Sequence, residues 1–393
     1  MKQLKPLEDL IVRGKRVFLR VDFNVPIDNG KVGDELRIAA AIPTINYLIR
    51  QGAIVILASH LGRPDGKPTE KYSLEPVAIV LSELLKREVF FMHDCVGEKV
   101  KAKVMELKPG QVALLENLRF HAEEEENDQQ FAKELASLGE VYINDAFAVA
   151  HRGHASVVGI PKYLPHAAGK LIQGEVARLT GLLTTPAHPF VAIIGGAKIS
   201  DKIDFMHSLL EKVDTLIIGG AMANTFLAAQ GHAMGKSVLD KAGFEIAMEI
   251  MKIAERKHIH VVLPVDVVVA NKPEAGEKSR TVMVGQLDEN DMALDVGPMT
   301  STSINAALHG AKTIFWNGTL GFTEVKAFSS GSLHLAKQIA SMKALSVIGG
   351  GDTAGFVDGI GMHDDFGFIS TGGGAALELL AGKELAALKP LYK

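Results

Sequence analysis

The stretch Phe190-Val191-Ala192-Ile193-Ile194-Gly195-Gly196-Ala197-Lys198 decides the fold. The apolar run is strand length, and it opens into a glycine pair followed by a helix-like segment. The pattern recurs. Leu216-Ile217-Ile218 opens into Gly219-Gly220-Ala221-Met222, and Ser346-Val347-Ile348 into Gly349-Gly350-Gly351-Asp352-Thr353. Phe368-Ile369-Ser370 opens into Thr371-Gly372-Gly373-Gly374. A strand, a turn without side chains and a helix N-terminus leave backbone N–H groups bare, which suits a phosphate. In a parallel sheet all such loops lie along one edge, where ligands bind. The second half therefore reads as a nucleotide platform.

The first half repeats the layout with a different filling. Val17–Val21 leads into Asp22-Phe23-Asn24, and Ile54–Leu57 leads into His60-Leu61-Gly62-Arg63. Ala113–Leu115 leads into Glu116-Asn117-Leu118-Arg119, and Val141–Ile143 into Asn144-Asp145 and then His151-Arg152. Arginine now follows the strands where glycine did before, and Arg37 joins them after the loop that starts at Asp22. A guanidinium offers a planar fork of donors that matches carboxylate and phosphate. The two halves look made for two anionic ligands.

Composition narrows the class. At 393 residues the chain exceeds one ordinary core and predicts two domains. It is 47% hydrophobic and 22% charged, with a net charge of -4, which predicts a soluble globular protein without a nucleic-acid or anionic-membrane partner. The single cysteine, Cys95, rules out an intrachain disulfide, fits a reducing compartment and is expected to be a buried, inert thiol. Met1–Lys5 has no apolar signal core, and no apolar stretch reaches membrane-span length. The acidic run Glu123–Glu126 reads as a solvated helix start.

Apolar runs alternate with amphipathic segments throughout, which predicts an α/β fold with helices on both faces of parallel sheets. Leu36–Gln51, Leu74–Lys86 and Asp128–Leu138 read as helices, as do Asp201–Lys212, Asn224–Gln230, Lys241–Arg256, Ser301–Leu308 and Ser332–Met342. A further helix from about Gly169 to Leu183, broken by Thr184–Pro189, reads as an inter-domain connector.

Several motifs weaken on inspection. Gly231–Ser237 resembles a phosphate-binding loop, but Gln230 stands where a glycine is required and a helix precedes it, so it reads as a turn. Gly349–Ala354 fits a relaxed dinucleotide pattern without the acidic partner a nicotinamide enzyme needs, which counts against a dehydrogenase. His151 and His154 lack a neighbouring ligand pair, so they read as anion donors rather than half of a zinc site. Asp352 is more informative. A carboxylate after three glycines would repel phosphates unless a cation intervened, and magnesium is the cation that prefers such oxygens. Lys198 and Lys202, four apart at a helix start, share one face beside the Gly195-Gly196 loop. Glu324 could accept from ribose hydroxyls.

In this order and spacing, Arg20–Pro26, Ser59–Pro64, Leu115–Phe120, Gly195–Lys202, Gly349–Thr353 and Ser370–Ala375 make the chain similar to the phosphoglycerate kinase family along essentially its whole length. The resemblance implies two Rossmann-like three-layer (αβα) domains joined by a helix and hinge. Residues 1–169, with a returning tail at about 381–393, would bind 3-phosphoglycerate; 170–189 would be the connector; 190–380 would bind ATP or ADP. By matching position, Asp22, Phe23, Asn24, Arg37, His60, Leu61, Gly62, Arg63, Arg119 and Arg152 would hold the phosphoglycerate. Lys202, Glu324, Gly350, Gly351, Asp352 and Thr353 would hold the nucleotide, with Asp352 on its Mg2+. Arg37, Lys198, Lys202 and backbone donors near Gly373 would stabilise the transferring group. The resemblance further implies a cytoplasmic monomer. Two stretches depart from the family pattern: Ala148-Val149 replace Gly-Thr, and Thr319 replaces Pro. Both bear on affinity more than on the reaction, because Arg152 and Glu324 remain.

The residues suit that chemistry. A carboxylate nucleophile is already ionised at neutral pH and needs no general base, and phosphoryl transfer is mostly positioning and charge stabilisation. Hinge closure would bring two repelling anions together and keep water out. A non-catalytic metabolite sensor on the same fold is the alternative, and it would have no need of Arg37, Lys198, Lys202 and Asp352 together.

Overall fold

The computed structural model describes residues 3–393, apart from the side chain of Asp201. The chain divides into two compact units, Met1–Ala177 with Glu384–Lys393, and Arg178–Lys383.

In the first unit the strands β1 (Arg16–Arg20), β2 (Ile54–Ala58), β3 (Val89–Met92), β4 (Val112–Leu115), β5 (Val141–Asn144) and β6 (His166–Ala168) form one sheet. The order is β3-β4-β2-β1-β5-β6, and every pairing is parallel. Side chains alternate between two buried faces. Val17, Leu19, Val55 and Leu57 enter one core, and Phe18, Ile56 and Ala58 the other. Burial on both faces explains why these strands read as unbroken apolar runs. The last residues belong to this unit: Lys5 N–H donates to Leu391 O at 2.7 Å and Ala387 N–H to Ala150 O at 2.9 Å.

In the second unit β7 (Phe190–Ile194), β8 (Thr215–Ile218), β9 (His260–Val262), β13 (Thr313–Asn317), β14 (Leu345–Gly349) and β15 (Phe368–Ile369) form a second parallel sheet. Its order, β9-β8-β7-β13-β14-β15, is the doubly wound order of dinucleotide-binding folds, with the direction of winding reversing between β7 and β13. Val191, Ile193, Ile314, Trp316 and Ile348 share one core. Both parallel sheets expected from the sequence are present. A small antiparallel sheet of β10 (Asp266–Ala270), β11 (Arg280–Met283) and β12 (Met292–Val296) was not expected. Its central strand is buried while β11 is largely exposed, so no single alternation marks it.

The expected helices are present with shifted ends. The helix expected from Asn224 begins at Gly220, and that expected from Ser301 begins at Pro298, where proline suits the first turn. The start expected at Asp201 is a short 3-10 turn, Ser200–Lys202, and the α-helix runs Ile203–Leu210. The connector helix spans Lys170–Thr184. Its first turn is held by Asp145, whose Oδ1 accepts from the N–H groups of Leu171 at 2.9 Å and Ile172 at 3.2 Å. Helix Glu98–Glu106, which buries only Val100 and Val104, has too polar a sequence to predict a helix.

The acidic run needs a correction. Glu123–Glu126 is helical, but Glu124 is fully buried rather than solvated. Its carboxylate accepts from Ser156 N–H at 2.8 Å and from the Ser156 hydroxyl, in the field of Arg20. Cys95 is buried, as expected, and burial pushes its thiol pKa well up.

Candidate functional site

Two sheet edges carry the sequence-predicted residues, one in each unit. In the first, neighbouring strands β4, β2, β1 and β5 end side by side, so the segments after them converge. Asp22 and Asn24 follow β1, His60 to Arg63 follow β2, Arg119 follows β4 and Arg152 follows β5. Arg37 comes from the first turn of helix Leu36–Arg50.

Hydrogen bonds weave these segments into one surface. Arg37 Nη1 donates to Asp22 Oδ2 at 2.9 Å and to Asn24 O at 3.3 Å. Asn24 Oδ1 accepts from Gly62 N–H at 2.8 Å, and Gly62 O accepts from Arg119 Nη1 at 2.7 Å. Arg119 also pairs with Glu125 at 3.1 Å. Asn117, fully buried, exchanges bonds with the backbone of Leu61 in both directions, at 3.1 and 2.7 Å. Phe23 and Leu61 are buried apolar side chains, so their contribution here is through backbone. Arg63 is exposed and Arg37 and Arg152 are half-buried.

Behind this surface lies Arg20, for which the sequence suggests no site role. It is fully buried, donating from Nε to Ser156 Oγ at 2.8 Å and from Nη1 to Val21 O. Its Nη2 lies 3.3 Å from His60 Nδ1. A guanidinium can only donate, so Nδ1 accepts and the His60 proton sits on Nε2. Burial, reinforced by Arg20 and Arg119, holds the His60 pKa well below its ordinary value, so the ring is a neutral donor. Burial first, and then Arg119, Arg20 and Arg152, push His154 down to about 3. Burial and the neighbouring Arg20 and Arg152 lower the Arg119 pKa, opposed by Glu125. Arg119 Nε is buried and has no hydrogen-bond partner among the described residues. Neutral histidines among guanidiniums, with an unspent buried donor, suit an anionic ligand.

The second edge is built of close backbone approaches. Gly195, after β7, and Gly318, after β13, cross so tightly that a Cβ on Gly195 would sit 2.1 Å from Thr319 O, and one on Gly318 2.3 Å from Gly195 C. Gly318 also has φ +96, which favours glycine. Lys202 spans this crossing, its Nζ donating to Gly195 O at 3.0 Å and Asn317 Oδ1 at 2.8 Å. Gly350 precedes helix Gly351–Gly359, and Asp352 is exposed in its first turn. Thr353 is buried, and its oxygen accepts from Gly318 N–H at 2.6 Å, tying the β13 and β14 loops together. Lys198 and Glu324 are exposed, and Gly373, half-buried, precedes helix Gly374–Leu380. A lone exposed carboxylate beside a glycine loop is a donor set that Mg2+ accepts when nucleotide phosphates supply its other ligands, so Asp352 fits the expected ion. The Gly231–Ser237 segment is a turn leading out of helix Gly220–Ala229.

Residues 7–383 match the family model described as phosphoglycerate kinase. The phosphoglycerate kinase of Moorella thermoacetica is 52% identical over 379 residues, 96% of each chain. That of Pelotomaculum thermopropionicum is 49% identical over 98% of each. Among solved structures, phosphoglycerate kinase from Coxiella burnetii aligns with a TM-score of 0.87 at 40% identity over 99% of both chains. The enzyme from Pyrococcus horikoshii aligns at 0.86 and 34% identity over 99% of this chain and 98% of that one.

Proposed function

The chain belongs to the phosphoglycerate kinase family, and we propose that it transfers a phosphoryl group reversibly between ATP and the carboxylate of 3-phosphoglycerate, giving ADP and 1,3-bisphosphoglycerate. The observation that carries this reading is the arginine edge of the first unit, where hydrogen bonds fix Arg37 and Arg119 beside a neutral His60. Asp22, Asn24, Arg37, His60, Arg63, Arg119 and Arg152 bind the phosphoglycerate, with backbone groups of Phe23, Leu61 and Gly62. Arg20 is a positioning residue that keeps the His60 Nε2 proton aimed outward as a donor.

In the second unit Lys202, Glu324 and the loop Gly350–Thr353 bind the nucleotide. Asp352 would hold the Mg2+ of the nucleotide, and that ion would neutralise charge on the phosphate oxygens. The substrate carboxylate is the nucleophile and needs no base. Arg37, Lys198, Lys202 and backbone N–H groups near Gly373 stabilise charge on the transferring group, where preorganised donors act most strongly. In-line transfer needs the reacting atoms at roughly 3–3.5 Å, and hinge movement at the connector helix and the Thr184–Pro189 turn supplies that approach while excluding water. No helix among the described residues is long and apolar enough to cross a membrane. The protein acts as a cytoplasmic monomer. A coupled assay of ATP consumption dependent on 3-phosphoglycerate tests the reading. Absence of turnover with both ligands bound would leave the protein a metabolite sensor.

A further inference from the structure

A second cluster of chemistry-bearing side chains lies in the first unit, where the segments after β3 and β4 meet. Asp94, Cys95 and His121 place one ligand atom each within 4.8 Å of one another. His121 Nε2 is 2.8 Å from Asp94 Oδ1, and the same oxygen accepts from Cys95 N–H at 2.7 Å. The group is graded in depth: Asp94 is exposed, His121 half-buried and Cys95 fully buried. Asp94 and His121 also line a cavity of about 400 Å³, whose wall carries Glu70, Glu75, His93 and Glu116. The His121 ring is steadied by stacking on Phe131, at 5.2 Å between centroids. The activity described above uses none of Asp94, Cys95 or His121.

We propose that Asp94, Cys95 and His121 form a binding site for a thiophilic divalent cation of the Zn2+ class. Sulfur, imidazole nitrogen and carboxylate oxygen are the ligand types zinc takes, and the set matches a site with three protein ligands and one open position. Asp94 and His121 border the cavity, so water there can complete the shell, and its carboxylates favour a cation over an anion. Mg2+ is excluded as the preferred ion, since it takes oxygen ligands and avoids thiolate. On binding, the Cys95 S–H bond breaks, a Cys95 Sγ–metal bond forms and the proton is released to solvent. His121 moves its proton from Nε2 to Nδ1 so that the Nε2 lone pair meets the ion. His121 lies between Arg119 and Glu124 in the chain, so an ion there restrains the segment that presents Arg119.

The test is a titration of the full-length chain with Co2+, without nucleotide, followed by competition with Zn2+. The expected result is one Co2+ per chain, with a thiolate-to-cobalt charge-transfer band and the visible bands of a four-coordinate ion, displaced by Zn2+. Cys95→Ser should abolish the charge-transfer band. Because Cys95 lies in the core, the half-exposed His121→Gln provides an independent arm: it should weaken Co2+ binding about tenfold or more. Zn2+ should also raise the melting temperature of the wild-type chain and not that of His121→Gln. No charge-transfer band at saturating Co2+, or equal affinity in wild type and His121→Gln, would overturn the proposal. Neither outcome touches the phosphoryl-transfer reading, which rests on other residues.

Discussion

Arg20 Nη2 lies 3.3 Å from Nδ1 of His60, and both side chains are buried. That one contact decides which nitrogen of His60 can face a ligand. It also continues inward, because Arg20 Nε bonds Ser156 Oγ and Ser156 bonds Glu124. Arg20→Met should therefore have two effects. Stability should fall by about 3 kcal/mol, since Glu124 is left as a buried charge without its cationic neighbour. KM for 3-phosphoglycerate should rise several-fold, since His60 no longer holds its proton on Nε2. Urea denaturation of Arg20→Met and of Arg20→Met with Glu124→Gln measures the first effect. If the second substitution recovers none of the lost stability, Arg20 and Glu124 are not energetically coupled.

Arg37 is anchored by Asp22 at 2.9 Å rather than free in solvent. An anchored guanidinium is preorganised for charge that develops during transfer. Arg37→Ala should lower kcat by about 10²–10³-fold, with a smaller change in 3-phosphoglycerate affinity. Steady-state kinetics in which only KM rises would reduce Arg37 to a substrate clamp.

Lys202 bridges Gly195 O and Asn317 Oδ1, so its ammonium is held beside the glycine crossing before any ligand arrives. Lys202→Ala should weaken ATP binding and slow turnover together, because the charge meets phosphate in both ground and transition states. Calorimetric titration with unchanged ATP affinity would remove Lys202 from the nucleotide site.

Asp145 gives a pH-dependent test of the connector helix. Burial raises its pKa from 3.8 to about 7, against the opposing bonds from Thr44 and the N–H groups of Ile172 and Leu171. The folded state thus holds this proton more tightly than the unfolded chain. The associated stability is fully present below about pH 4 and is lost as pH rises to about 7, an effect of at most about 4 kcal/mol. Asp145→Asn keeps an Oδ1 acceptor for Leu171 and Ile172 and cannot ionise. The stability of wild type relative to Asp145→Asn should fall between pH 4 and 7 and stay level above. A difference independent of pH would show that Asp145 does not titrate in that window.

Much of the architecture was legible in the sequence because it rests on local pattern. The apolar runs at Phe190–Ile194 and Ile54–Ala58 are strands buried on both faces, and such burial requires apolar residues at every position. Gly195 and Gly350 follow their strands directly, so the glycine loops could be read from order alone. Placing Asp22, His60, Arg119 and Arg152 beyond strand ends put them on one edge, since parallel strands share a direction. Helix Glu98–Glu106 escaped because its polar composition hides the i, i+4 pair Val100 and Val104 that it buries.

Long-range contacts decided the rest. Nothing in the run Glu123–Glu126 distinguishes Glu124, and its burial exists only because Arg20 and Ser156, remote in the chain, meet it in the core. The charge state and tautomer of His60 likewise depend on desolvation and on Arg20, forty positions away. The meeting of Asp94 and Cys95 with His121 follows from β3 pairing with β4, a pairing that no local period encodes. Sequence by itself determined the central strands of both parallel sheets, the glycine turns and the residues at those strand ends, because backbone preference and hydrophobic period act over a few residues. Only the tertiary structure decided which charges are buried, which are neutral and which face one another, because desolvation and Coulomb energy depend on distance through space.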